Sequence, residues 1–377
     1  MKILAIETSC DETGASVVEK KNNQPFVQIH SNIIATSLGL HAKTGGIIPE
    51  AAAREQSKYI IPVIKEALFV AKTTPEAIDA IAVTIGPGLI GSLLIGVETA
   101  KTLAFAWNKP IIPVNHLFGH IYANWISSCH PALDAGSPAR RQASFNDREI
   151  AGQAPTHRDP DIIGARNDKK ISFPALGLIV SGGHTDLILI KNHGNIQWLG
   201  GTKDDAAGEA FDKIGRMLGL PYPSGAMIEE RAKKGNPKAY DFPRPMIHSH
   251  TSDFSFSGLK AAVFREIKTI KQLSNETISD ICASVQQAII DVLVKKTLDA
   301  AREYNVKSIL LGGGVAANQT LVEFLKLNAI RYNLNAEIFV PQKSLCTDNA
   351  AMIGAAAFYI GKPASWKNIQ ANPELYF

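Results

Sequence analysis

His116 and His120 stand four residues apart in Asn115-His116-Leu117-Phe118-Gly119-His120. On a helix that spacing puts both imidazoles on one face, as two ligands of one metal ion require. No glutamate follows the first histidine, so the general base of the H-E-x-x-H peptidases is missing. A third ligand must come from elsewhere. Asp348, in Cys346-Thr347-Asp348-Asn349-Ala350-Ala351, is the best placed, where a short loop enters a helix of small apolar residues. Two imidazoles and one carboxylate suit Fe(II) or Zn(II) and leave positions open for an oxygen ligand. Taken alone, an H-x-x-x-H pair is more often one core histidine and one exposed one.

Glycine turns form the second group. Gly182-Gly183 lies between two strands, and Gly312-Gly313-Gly314 lies between a strand and a helix expected near Ala316. With the polar turn Thr8–Gly14, they could present backbone N–H groups to a phosphate. Ordinary tight turns of an α/β fold are the other reading. Neither a Walker A loop nor G-x-G-x-x-G is present, so P-loop and Rossmann sites are weakly supported. The run Asp204 to Lys213 crowds acids at a helix start, which either complements the helix dipole or aims Asp212 at a ligand hydroxyl. The cations of Arg231–Lys238 read as a solvated helix end or as a phosphate contact.

Alternating strands and helices must hold these groups. Strands are expected at Lys2–Glu7, Ala15–Val18, Ile81–Thr84, Pro110–Val114, Leu176–Val180, Asp186–Ile190 and Ser308–Leu311. Helices are expected at Pro49–Val70, Leu89–Ala106 and Glu276–Glu303. The strand, polar turn, strand pattern at the start repeats around Ser181–Thr185, which hints at a duplicated architecture. From Pro131 to Lys170 large apolar residues are few, and the segment reads as a disordered insertion. The 377 residues suffice for two domains, expected at 1–113 with 350–377 and at 114–349. A net charge of +4 permits a nucleic-acid partner without arguing for one. Four scattered cysteines fit a reduced compartment rather than a disulfide scaffold or zinc ribbon. The start MKILAIETSCDET lacks a signal-peptide core, and Gly86-Pro87-Gly88 breaks the longest uncharged run. The expected location is the cytoplasm, with no membrane span.

Nine motifs, in order, resemble one family. They are Ile6 to Thr13, Gly45 to Glu50, Gly86 to Leu89, Asn115-His116-x-x-Gly119-His120 and Val180 to Thr185. Asp204 to Lys213, Phe254 to Lys260, Gly313 to Asn318 and Thr347 to Gly354 complete the set. The chain resembles the tRNA N6-adenosine threonylcarbamoyltransferases, whose older label is O-sialoglycoprotein endopeptidase. The resemblance implies an actin-like, sugar-kinase-like α/β fold (the ASKHA class) with duplicated halves and a central nucleotide cleft. It implies transfer of threonylcarbamoyl from threonylcarbamoyl-AMP to N6 of adenosine 37 in tRNAs reading codons that begin with A. By motif, His116, His120 and Asp348 hold one Fe(II), with zinc the alternative metal. Ile179, Val180, Ser181, Gly182 and Gly183 line the adenylate. Asp212, Gly225 and Asn318 contact its adenosine part. An inactive paralogue, which pairs through N-terminal helices such as Pro49–Val70, and a small ATPase are the implied protein partners. His41 and His184 are the candidates for a general base. Departures from the pattern are Phe118 for the usual glutamate, Thr44 for an aromatic, and Ser224 in the Tyr222-Pro223-Ser224-Gly225-Ala226 turn. The competing readings are a metallopeptidase, an actin-like ATPase or kinase, and a non-enzymatic scaffold.

Overall fold

The computed structural model describes every residue except 23, 38, 40, 42–45 and 128–169. The expected disordered insertion, apart from Lys170, and Thr44 therefore lie outside the described residues. The chain divides into two compact units. The first comprises Met1–Leu38, Pro49–Lys170 and Asp348–Tyr376, and the second Gly39–Ile48, Ile171–Thr347 and Phe377.

The first unit is built on β1 (Lys2–Glu7), β2 (Glu12–Glu19), β3 (Gln28–Thr36), β4 (Ala80–Gly86) and β5 (Ile111–Asn115). Their order is β3-β2-β1-β4-β5, antiparallel from β3 to β1 and parallel from β1 to β5. β1 and β4 are almost continuous apolar runs because central strands are covered on both faces. β3 alternates buried and half-buried positions, as an edge strand does. The helices Pro49–Val70 and Ile90–Trp107 pack against one another and the sheet. Ala350–Ile360, rich in alanine, packs against β1 and β2 and against the short helix His116–Tyr122.

The second unit repeats this design. β6 (Ala175–Val180), β7 (Thr185–Asn192), β8 (Asn195–Gly201), β9 (Ser308–Gly312) and β10 (Glu337–Phe339) lie in the order β8-β7-β6-β9-β10. Parallel and antiparallel pairings fall in the same places as in the first sheet. The duplication expected from the two strand–turn–strand patterns is thus a repeat of topology. The helix Asn275–Glu303 is apolar and long enough to cross a membrane, but most of that stretch is buried in this unit's core. β3, β8 and β10 were not expected from sequence. The first is half polar, the second largely exposed and the third only three residues long.

The expected boundary at 113/114 falls elsewhere. β5 runs on to Asn115 beside β4, and the His116–Tyr122 helix packs on Ala350–Ile360, so both belong to the first unit. The helix expected near Ala316 is a 3-10 turn at Gly314–Ala317, and the α-helix starts at Gln319. Gly313 takes φ +94°, and a Cβ there would sit 2.2 Å from the Val180 carbonyl oxygen. The chain must turn across the end of β6 before it can coil, and only glycine fits that close approach.

Candidate functional site

Two capped helices carry the histidines and the carboxylate. At the end of β5 the Asn115 side chain accepts from the Leu117 N–H at 2.8 Å and starts the His116–Tyr122 helix. Asn349, directly after Asp348, accepts from the Met352 N–H at 3.0 Å and starts Ala350–Ile360. The helices meet at Gly119, between the histidines. A Cβ there would come 2.7 Å from Ile353 Cδ1 and 3.2 Å from Met352 Cγ.

The result is a compact set. His116 Nε2 lies 3.6 Å and His120 Nε2 3.4 Å from Asp348 Oδ1, and the three ligand atoms fall within 4.8 Å of one another. Ligands around an ion at about 2.1 Å stand roughly 3.0–3.5 Å apart, so the set needs little adjustment to close on one. Both ring nitrogens of His120 are buried without a hydrogen-bond partner. An imidazole in that state is costly, and a metal ion is the partner its lone pair lacks. The residues therefore fit a metal ion, and the core-and-surface reading of the pair fails because both histidines are buried.

The surroundings are strongly acidic. Burial alone would lower the pKa of His116, but Asp348 and Glu7 outweigh it and push the value up to about 9. Burial and the neighbouring His116 pull His120 down. Burial, then Asp11 and Asp348, hold the Glu12 carboxyl well above the usual range. Cys10 is raised by burial and by the same two aspartates. Glu7, Asp11 and Glu12 were not singled out from sequence. Their signal was three acids within six residues at a strand–turn–strand junction.

In the second unit hydrogen bonds connect the residues expected to contact an adenylate. Ile179 and Val180 are buried in β6. Ser181 Oγ accepts from the N–H groups of Gly183 at 3.4 Å and His184 at 3.1 Å, and the Ser181 carbonyl accepts from Gly208 N–H. Gly182 and Gly183 are exposed, and a Cβ on either would meet nothing within 4 Å. The helix Ala207–Met217 then carries Asp212, whose Oδ1 accepts from Ser224 N–H at 2.7 Å. Burial raises that carboxyl against the backbone N–H groups of Ser224 and Gly225, which lower it. Asp212 and Gly225 are thus brought together at the start of the helix Gly225–Ala232. Glu229 on that helix accepts from Gln319 N–H at 2.8 Å. Asn318 beside it caps Gln319–Arg331 and donates to Gln286 Oε1 at 2.9 Å.

Other expectations are redistributed. Asp204 does not serve the helix that follows it. It accepts from Ser255 Oγ, Ser257 Oγ and the N–H groups of Phe256 and Ser257, and so holds the start of Ser257–Thr269. Burial would raise its carboxyl, but these four donors bring it down to about 2. Asp205 pairs with Lys213 and Lys260. His41 is buried in the second unit, its Nδ1 accepting from Ile48 N–H at 3.4 Å, and His184 lies in the β6–β7 turn. Neither histidine is in the metal set. Arg231 donates to Asn275 Oδ1, and Lys233 and Lys234 are exposed just past their helix.

Solved structures with this architecture include HypF of T. kodakarensis, with a TM-score of 0.56 and 13% identity over 95% of this chain and 47% of that one. Full-length HypF in its phosphate- and nucleotide-bound form gives a TM-score of 0.53 and 11% identity over 94% of this chain. The chain spans about half the length of those proteins, and the likeness is of fold alone. Both sheets and this likeness place the chain in the actin-like α/β class. Curated relatives are far nearer in sequence. A protein of Moorella thermoacetica is 44% identical over 95% of this chain and 91% of its own length. One from Listeria welshimeri is 43% identical over 99% of this chain and 96% of its own. Both are named tRNA N6-adenosine threonylcarbamoyltransferase. The family model of that description matches residues 28–143 and 162–355, taking in the whole His116, His120 and Asp348 set. By motif order, by topology and by these matches, the chain belongs to the tRNA N6-adenosine threonylcarbamoyltransferase family.

Proposed function

We propose that the chain transfers the threonylcarbamoyl group of threonylcarbamoyl-AMP to N6 of adenosine 37, in tRNAs reading codons that begin with A. The family match, which covers the metal set and every residue expected at the adenylate, carries this reading. A peptidase or kinase reading gains no support from the relatives.

The donor is a mixed anhydride, so AMP is already a good leaving group. In the transfer, N6 attacks the carbamoyl carbon and the N6–C bond forms. The C–O bond to the phosphate breaks, and N6 gives up one proton. An exocyclic amine is a weak nucleophile and gains most from being held in line. Ile179 to Gly183 would line the adenylate, with Asp212, Gly225 and Asn318 on its adenosine. Asp212 and Asn318 are already engaged at helix starts, which keeps such contacts rigid. His41 and His184 are the histidines we propose for the proton. His116, His120 and Asp348 would hold one Fe(II), with Zn(II) second, which when bound supplies a Lewis acid for the donor's oxygens.

Adenosine 37 sits in a single-stranded loop, so it reaches a pocket without melting a duplex. A tRNA substrate implies a cytoplasmic enzyme. An inactive paralogue and a small ATPase are the proposed protein partners. The Pro49–Val70 helix leaves Ile61 44% and Phe69 77% exposed, an apolar face suited to the paralogue.

The test is nucleoside mass spectrometry after incubation with both partners, unmodified tRNA and threonylcarbamoyl-AMP. Threonylcarbamoyladenosine is expected from the wild type and none from His116→Ala. Product from both would remove the metal set from the reaction. Product from neither, with folded protein and intact tRNA, would overturn the transfer.

A further inference from the structure

We infer that Glu7 is the positioning residue of the metal centre: its buried carboxylate holds His116 in the one tautomer that can bind a metal through Nε2. Glu7 ends β1, after the buried apolar run Ile3–Ile6, and is 1% exposed. A carboxylate in such a place is expensive unless its lone pairs are met. Three segments meet them. Glu7 Oε1 accepts from Ser9 N–H at 2.6 Å, and Oε2 accepts from Thr84 Oγ at 2.5 Å and faces His116 Nδ1 at 3.2 Å. β1 and β4 run side by side with Ile6 opposite Val83, so the sheet itself sets Thr84 beside Glu7.

The tautomer follows from donor and acceptor roles. An ionised carboxylate only accepts, so the hydrogen between the two groups belongs to His116 Nδ1. In the neutral ring the lone pair then sits on Nε2, the nitrogen facing Asp348. Ser9 Oγ, 3.1 Å from the same Nδ1, fits as a second acceptor. If Ser9 instead donated to a bare Nδ1, that lone pair would point at the Glu7 oxygen, which is repulsive. A carboxylate behind a ligand histidine also raises its basicity, and losing such a partner typically weakens metal binding about 10–100-fold. His120 has no equivalent, since its Nδ1 makes no hydrogen bond. The two histidines are therefore unequal: one is anchored through the sheet, the other placed by helix packing.

The inference rests on reading His116, His120 and Asp348 as a metal centre. Co(II) is titrated into the metal-free full-length chain, with its visible d–d bands and dissociation constant as readouts and the metal-free Tm as a control. Glu7→Gln is expected to weaken Co(II) about 10–100-fold and shift the bands while leaving the metal-free Tm within a few degrees. Thr84→Val, which frees one side of the carboxylate, is expected to weaken it several-fold. A Kd for Glu7→Gln within twofold of wild type would overturn the inference, even with a lowered Tm, because only a structural role would remain. If Glu7→Gln does not fold, Thr84→Val decides, and an unchanged Kd there is the overturning result. Failure of the wild type to bind Co(II) would remove the metal centre itself. Failure to modify tRNA with Co(II) bound normally would touch only the proposed transfer.

Discussion

At the scale of single residues, the electrostatics of His116 have a measurable sign. Its folded-state pKa of about 9 lies above the ordinary 6.5. Without metal, its contribution to stability is fully present below pH 6.5 and is lost as pH rises through 9. The metal-free Tm is therefore expected to fall from pH 6.5 to 9. Glu12, raised chiefly by burial, pushes in the same direction at its own pH, so the comparison with His116→Asn isolates the imidazole. A His116→Asn curve with the same slope as the wild type would refute this. The clustering of His116, His120 and Asp348 was legible in sequence because a spacing of four is local, and Asp348 stood at a recognisable helix entry. Glu7 was not, because it is one acid at a strand end. Its meaning comes from Thr84 and His116, 77 and 109 residues away.

At the scale of elements, the helix Ser257–Thr269 depends on a residue far outside it. Asp204 bonds the N–H groups of Phe256 and Ser257. Replacing it with alanine is expected to cost about 1 kcal/mol at pH 7, as the loss of a helix cap does. Because its carboxyl is depressed to about 2, the wild-type advantage is present above pH 3.8 and fades as pH falls through 2. Urea midpoints at pH 7, 4 and 2 check this, and a constant difference would count against the capping role. The Pro49–Val70 helix was legible to the residue, since a proline marks its start and its apolar positions recur at helical spacing. Asp204 was read with the wrong helix because sequence proximity favoured Ala207–Met217. The α-helix expected near Ala316 starts three residues later, at Gln319, because the turn at Gly313 is followed first by a 3-10 turn.

For the whole molecule, the proposed substrate is a macromolecule and must be held as well. Lys233 and Lys234, exposed beyond the Gly225–Ala232 helix, carry no carboxylate ion pair among the described contacts. Lys233→Glu with Lys234→Glu is expected to weaken tRNA binding and lower the salt slope by about two, read in binding isotherms at several salt concentrations. Unchanged isotherms would move the tRNA path elsewhere. The two-unit architecture was half legible. The strand–turn–strand repeat showed, but the boundary did not, because the sequence hides that β5 and the histidine helix close the first sheet.

That repeat has a consequence for how one backbone plan can take on opposite tasks. The β1–β2 connection and the β6–β7 connection occupy the same seat in the two sheets. The first is flanked by Glu7, Asp11 and Glu12, the second is Ser181-Gly182-Gly183-His184 without a carboxylate. Strand pairing dictates the path of such a turn and leaves its side chains open. One copy gathers carboxylates, which favours a cation, and the other has glycines and no carboxylate, so the halves differ in charge rather than in the course of the chain.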